Sequence, residues 1–123
     1  GKRRMYKSSK TLAERLDESK TMFRRYPERK PLIIEPKCTR TPPIDKHKYM
    51  TPSDLTIGQL IFVIRKRVSL RPDQSMFVFI DNNTLLPPTT TVGDAYSNHK
   101  DEDGFLYIKY ALENAFGDHN SRG

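Results

Sequence analysis

Apolar positions fall into short groups along the chain, and the spacing within each group predicts the element it builds. Leu12, Leu16, Met22, Phe23 and Tyr26 recur at roughly helical intervals. Thr11 and Glu14 stand at the spacing of a capping box, and Pro27 ends the run, so a basic amphipathic helix begins near Thr11. A shorter helix is predicted before it, around Met5–Lys10. Leu32, Ile33 and Ile34, bounded by Pro31 and Pro36, read as a buried strand over Lys30–Glu35. The turn-rich stretch Lys37–Asp45 leads to a second strand, Lys46–Thr51, ended by Pro52; its lysines suit an exposed sheet edge. Thr56 and Gln59 form another capping box, opening a helix that runs through Arg67. There Ile57, Leu60, Ile61 and Ile64 make one core-facing stripe, and Arg65, Lys66 and Arg67 sit at the negative end of the helix dipole. Met76–Ile80 is a strand of strong β formers, Asp81–Thr84 a turn, and Val92–Asn98 a short helix. Phe105–Tyr110 is the final strand, and from Leu112 the sequence becomes polar.

The order is helix, then β-β-α-β-(short α)-β, then a tail. Four strands and one long helix can bury a helical stripe against one sheet face. The predicted fold is therefore α+β: a ubiquitin-like β-grasp, with a four-stranded mixed sheet packed on a helix and two additional N-terminal helices. The expected division is a basic helical extension over 1–29, a β-grasp body over 30–111 and a flexible tail over 112–123.

Composition sharpens this picture in two places. With 123 residues, 35% apolar and 30% charged, the chain has the size of one ordinary domain and is too apolar for a disordered one. No apolar run approaches the ~18 residues of a membrane span, so an integral membrane protein is not expected. The charge is concentrated. Residues 1–30 carry eleven Lys/Arg against four Asp/Glu, whereas residues 31–123 carry eleven of each, so the net +7 belongs to the first quarter. Such asymmetry points to an N-terminal segment that meets an anionic surface, or to a solvated helix that keeps the protein soluble.

Candidate chemistry is sparse. Cys38 has no intramolecular partner, which fits a reducing, cytoplasmic setting, and it reads as a surface or packing residue. His47, His99 and His119 lie far apart with no metal-ligand spacing, so no metal is expected. No activated nucleophile or phosphate loop is present, and the expectation is a protein that is not an enzyme and needs no cofactor.

Five motifs in order carry a resemblance. They are Tyr26-Pro27-Glu28-Arg29-x-Pro31, Asp45-Lys46-x-Lys48-Tyr49, Pro52-Ser53-Asp54-Leu55-Thr56-x-Gly58-Gln59, Ile64-Arg65-Lys66-Arg67 and Asp101-Glu102-Asp103-Gly104-Phe105-Leu106-Tyr107. Over roughly residues 6–117 the chain resembles the autophagy-related protein 8 family of ubiquitin-like modifiers, among whose members are GABARAP and microtubule-associated protein light chain three. The resemblance implies a cytoplasmic protein that becomes bound to autophagosomal membranes. It places Gly117, after Phe116, at the conjugation site. A family cysteine protease would cut after Gly117, and activating and conjugating enzymes would carry its carboxylate to an amide with phosphatidylethanolamine. Glycine suits that step because its missing Cβ permits close approach inside a narrow enzyme channel. The chain also ends at Arg122-Gly123, but Gly117 keeps the family's distance from the last strand.

The resemblance further implies a groove on the edge strand for cargo-receptor peptides of aromatic-x-x-aliphatic pattern. By position, its aromatic pocket would be Glu18, Met22, Pro31, Ile33, Lys48, Met50 and Phe105. Its aliphatic pocket would be Tyr49, Thr51, Pro52, Leu55, Leu60, Val63 and Arg67. Lys46, Lys48 and Arg67 would pair with acidic residues flanking the peptide. Thr51 stands where the family has an aliphatic residue, so a weaker preference for large aliphatic side chains is expected. Phe77 and Phe79, at i and i+2, share one face and are either both buried or both offered, the latter as a second partner surface. The basic N-terminus would meet membrane or tubulin. The alternative is an unconjugated basic adaptor binding microtubules or nucleic acid, although no base-reading arrangement is recognisable. A monomer is expected before conjugation.

Overall fold

The computed structural model describes residues 5–81 and 83–114. Two N-terminal helices, α1 (Tyr6–Ser9) and α2 (Leu12–Arg25), precede strands β1 (Arg29–Pro36) and β2 (Lys48–Pro52). Then come α3 (Ile57–Arg67), β3 (Gln74–Ile80), β4 (Thr84–Leu85), α4 (Val92–His99) and β5 (Leu106–Asn114). The strands form one mixed sheet in the order β2-β1-β5-β3-β4. β1 pairs antiparallel with β2 and parallel with β5, while β3 pairs antiparallel with β5 and β4.

Both predicted capping boxes are formed. The Glu14 and Gln59 amides donate to the Thr11 and Thr56 hydroxyls at 3.1 and 3.2 Å, and the reciprocal bonds from the Thr11 and Thr56 amides are 2.8 and 3.0 Å. On α3, Ile57, Leu60 and Ile64 are buried and pack with Leu32, Ile34, Val78, Ile80, Leu106 and Ile108 from one sheet face. The other face of β1 and β5 meets the N-terminal helices, where Tyr6, Ile33 and Phe105 form a second, smaller cluster. Coverage on both faces explains why β1 shows a continuous buried run rather than an alternating one.

Three features depart from the sequence expectation. The sheet has five strands, not four: Thr84, expected to close a turn, and Leu85 after it pair with Ile80 and Phe79. Positive φ at Asp81 and Asn83 supplies the tight reversal that a two-residue strand needs. β5 continues to Asn114, where it pairs with Gln74, so the polar residues after Ala111 are still in the ladder. Finally, Leu12 and Tyr26 are exposed, and the buried positions of α2 are Arg15 and Ser19.

Those two polar residues are buried because the loop before β5 brings a matching group. Asp103 is fully buried; it accepts from the Arg15 guanidinium at 2.7 Å, the Tyr107 hydroxyl at 2.5 Å and the Phe105 amide at 2.9 Å. The Ser19 hydroxyl donates to the Asp103 carbonyl at 2.6 Å. This brings Gly104 so close to α2 that a Cβ there would lie 2.6 Å from Ser19 Oγ, and its φ is +89°. Gly104→Ala is expected to lose at least about 1–2 kcal/mol from the backbone alone. A denaturation midpoint unchanged from the parent would contradict that.

Candidate functional site

β2 is an edge strand, and the pattern of its ladder shows what it offers. The Ile34 amide donates to the His47 carbonyl at 2.9 Å, which makes positions 47, 49 and 51 the ones bonded to β1. The backbone groups of Lys48 and Met50 then point away from the sheet, where the Met50 carbonyl accepts from the Arg29 guanidinium at 3.4 Å and would exchange that bond for one to an added strand. Pro31, opposite Met50, faces this ladder at a position that bonds nothing on that side, so its missing N–H costs β1–β2 no hydrogen bond. Lys46, expected inside the strand, lies just before it.

Side chains alternate across β2, so its two faces present different surroundings. On the α2 face lies a cavity of about 620 Å³ lined by Glu18, Met22, Lys48 and Met50 among others. Pro31, Ile33 and Phe105, assigned to the same pocket from sequence, do not line it. All three are buried, Ile33 and Phe105 completely, and those two pack with the partly buried Met22. The lining instead includes Asp17, Thr21, Arg25, Tyr26 and Arg29. Spacing could have disclosed most of these, since 18, 22 and 25 and also 17 and 21 fall on adjoining stripes of one helix.

On the α3 face, Tyr49, Thr51 and Leu60 are buried, Leu55 is half-buried, and Val63 and Arg67 are exposed; Pro52, exposed at the end of β2, has the parity of Lys48 and Met50 rather than that of Tyr49 and Thr51. Leu60, Val63 and Arg67 share a stripe of α3, and Leu55 packs against the cluster that holds Tyr49 and Leu60. The Tyr49 hydroxyl is buried with no hydrogen-bond partner among the described residues, and burial pushes the phenol up to about 12.

The three cations expected to meet an acidic ligand are already engaged. Lys48 Nζ lies 2.5 Å from Glu18 Oε2, Arg67 Nη1 lies 3.2 Å from Asp45 Oδ1, and Lys46 Nζ sits 5.1 Å from the Tyr49 ring centroid. Glu18 also accepts from the Tyr6 hydroxyl. Burial would raise the Glu18 carboxyl, but the hydrogen bonds from Lys48 and Tyr6 outweigh it and hold the group below the usual carboxylate range. A ligand carboxylate that takes Lys48 or Arg67 must therefore exchange with Glu18 or Asp45, whereas Lys46, held only over a ring, has no carboxylate partner among the described residues.

Phe77 and Phe79 lie on the sheet face away from α3. Phe77 is exposed and Phe79 half-buried, with Lys37 Nζ 5.3 Å from the Phe79 ring and the exposed Leu85 paired beside it. Alternation with the buried Met76, Val78 and Ile80 decides this: the core takes those three and leaves the two phenylalanines outside. Cys38 is exposed. A hydrogen bond with the Thr41 hydroxyl lowers its thiol below the ordinary value. Gly117 and Phe116 lie outside the described residues, as do Arg122 and Gly123.

The model of the family described as autophagy protein Atg8, ubiquitin-like, matches residues 14–117. The chain belongs to the Atg8 family. Autophagy-related protein 8 of Mycosarcoma maydis is 47% identical over 118 residues, covering 94% of this chain and 98% of its own. Autophagy-related protein 8b of Arabidopsis thaliana is 48% identical over 114 residues, covering 91% and 92%. The crystal structure of Trypanosoma brucei ATG8 superposes with a TM-score of 0.83 at 42% identity, covering 94% of this chain and all of that one. The ubiquitin-like fold and the tie to autophagy thus stand on sequence and architecture together. Within this Atg8-family chain no described helix is long and apolar enough to cross a membrane.

Proposed function

We propose that this Atg8-family chain is a non-enzymatic modifier that reads extended peptides along β2 and is anchored to autophagosomal membrane by a lipid on Gly117. The observation that carries the reading is the free edge of β2, flanked by the α2 cavity on one face and the α3 surface on the other. In an added strand, residues i and i+3 point to opposite faces about 10 Å apart. An aromatic-x-x-aliphatic peptide therefore sends its aromatic side chain toward Met22 and Met50, and its aliphatic one toward Leu55, Leu60 and Val63. The methionines give the first pocket an adaptable wall. Pro31, Ile33 and Phe105 act in this reading as a buried floor.

Titration with a labelled peptide of that pattern tests the groove. Lys48→Ala and Leu55→Ala are each expected to weaken binding by about threefold to tenfold; unchanged affinity in both variants removes the groove assignment. Thr51→Leu is expected to tighten binding of a peptide ending in leucine by about threefold or more, because a buried methyl-bearing wall replaces a hydroxyl. A fall in affinity for that peptide would contradict the placement of Thr51 in the second pocket.

Processing after Gly117 is supported by the family match, which runs to that residue and no further. Asn114, the last described residue of β5, precedes Gly117 by three positions, about 10 Å of chain if extended. The protease, the activating and conjugating enzymes and receptor peptides are the partners of this reading. Phe77 and Phe79 form a second, weaker docking face.

A further inference from the structure

We infer that Tyr6, on α1, is a positioning residue that sets how readily the groove accepts an acidic ligand, acting through Glu18. The inference rests on the groove reading above. Glu18 is the shared member of a three-part relay: one oxygen accepts from the Tyr6 hydroxyl and the other from Lys48 Nζ at 2.5 Å. Lys10 Nζ stands off at 4.0 Å, so Tyr6 and Lys48 are the two direct donors. Tyr6 is 8% exposed, with its ring edge-on to Phe105 at 5.4 Å and its amide bonded to the buried Glu35 at 2.7 Å. The hydroxyl is therefore fixed in place before any ligand arrives.

A ligand carboxylate that takes Lys48 removes one of the two hydrogen bonds on a carboxylate whose side chain is only 29% exposed. A partly buried anion that loses its donor is costly, and the cost is smaller when a second donor stays behind. Tyr6 is that second donor. Its hydroxyl shares the Glu18 charge in the free protein, so Lys48 is held less tightly, and it retains the charge once Lys48 has turned to the ligand. The effect is confined to ligands that recruit Lys48. A peptide with neutral flanks leaves the Glu18–Lys48 pair intact and does not sense the hydroxyl.

Tyr6→Phe removes the hydroxyl alone and keeps the ring that packs on Phe105. Two labelled aromatic-x-x-aliphatic peptides, one with acidic residues before the aromatic and one with glutamines there, are titrated into the full chain, Tyr6→Phe, Glu18→Gln and the double variant. Tyr6→Phe is expected to weaken the acidic peptide by about threefold to tenfold and to leave the neutral one within about twofold. Glu18→Gln, which frees Lys48, is expected to tighten the acidic peptide, and adding Tyr6→Phe to it should change nothing further. Equal weakening of both peptides would reduce Tyr6 to a structural support of α1 and overturn the inference. So would an acidic-peptide affinity that Tyr6→Phe leaves unchanged, or additive effects in the double variant. Absence of binding by either peptide to the parent chain would instead refute the groove itself, a result distinct from loss of selectivity.

Discussion

Asp103→Ala is expected to lower the unfolding free energy by about 3–5 kcal/mol, the range for removing one partner of a buried ion pair. The carboxylate is fully buried and takes the Arg15, Tyr107 and Phe105 donors, while its own backbone carbonyl takes Ser19. Truncation would leave Arg15, a residue 8% exposed, with only Asp101, 3.8 Å away, as an ionic neighbour among the described residues. It would also take from the Tyr107 hydroxyl its carboxylate acceptor; burial and that hydrogen bond together push the phenol well above its ordinary value. Asp103→Asn keeps the shape and an acceptor but not the charge, and is expected to lose about half as much. Urea denaturation measures both. The midpoint should fall with little change in slope, because the native core remains the same size. A loss under about 1 kcal/mol for the alanine variant would mean that α2 is held by its apolar contacts alone.

Gly117→Ala is expected to abolish the membrane-associated pool in cells, whereas charge reversal at Lys2, Arg3 and Arg4 has a modest effect. The ranking follows from magnitudes. A diacyl lipid in amide linkage supplies two acyl chains, enough for stable membrane residence, at about 0.8 kcal/mol for each buried methylene. A basic residue near an anionic leaflet contributes about 1 kcal/mol, and salt screens it. Three such charges cannot stand in for the lipid. The unconjugated basic adaptor predicts the reverse order, so fractionation of cells carrying the two variants separates the readings.

Much of the fold is legible in the sequence because its elements are locally encoded. The two capping boxes, the Ile57–Ile64 stripe and the alternation of Met76–Ile80 each state their geometry within one turn or one strand. Strand Thr84–Leu85 is not legible: two residues hold no period, and only the reversal at Asp81–Asn83 brings them to β3. The buried face of α2 escapes a sequence reading for a different reason. Arg15 and Ser19 are hydrophilic in isolation and become interior only because Asp103, far along the chain, arrives with its charge. Within the candidate site, position on β2 is readable from its lysines and from the resemblance. What sequence does not supply is the state of those lysines. That Lys48 is held by Glu18, and Glu18 in turn by Tyr6, depends on three elements meeting at one carboxylate. The same limit applies to the first pocket, where Pro31, Ile33 and Phe105, expected to line it, are buried and do not.

If this Atg8-family chain is a modifier, its working end is Gly117. Intact mass after incubation of the full chain in a eukaryotic cell extract, beside a Gly117→Ala control, tests it most directly. The parent is expected to lose the mass of Asp118–Gly123 and the control to keep it. An unchanged parent mass would contradict it, and would assign the working end to Gly123 or the protein to an unconjugated role.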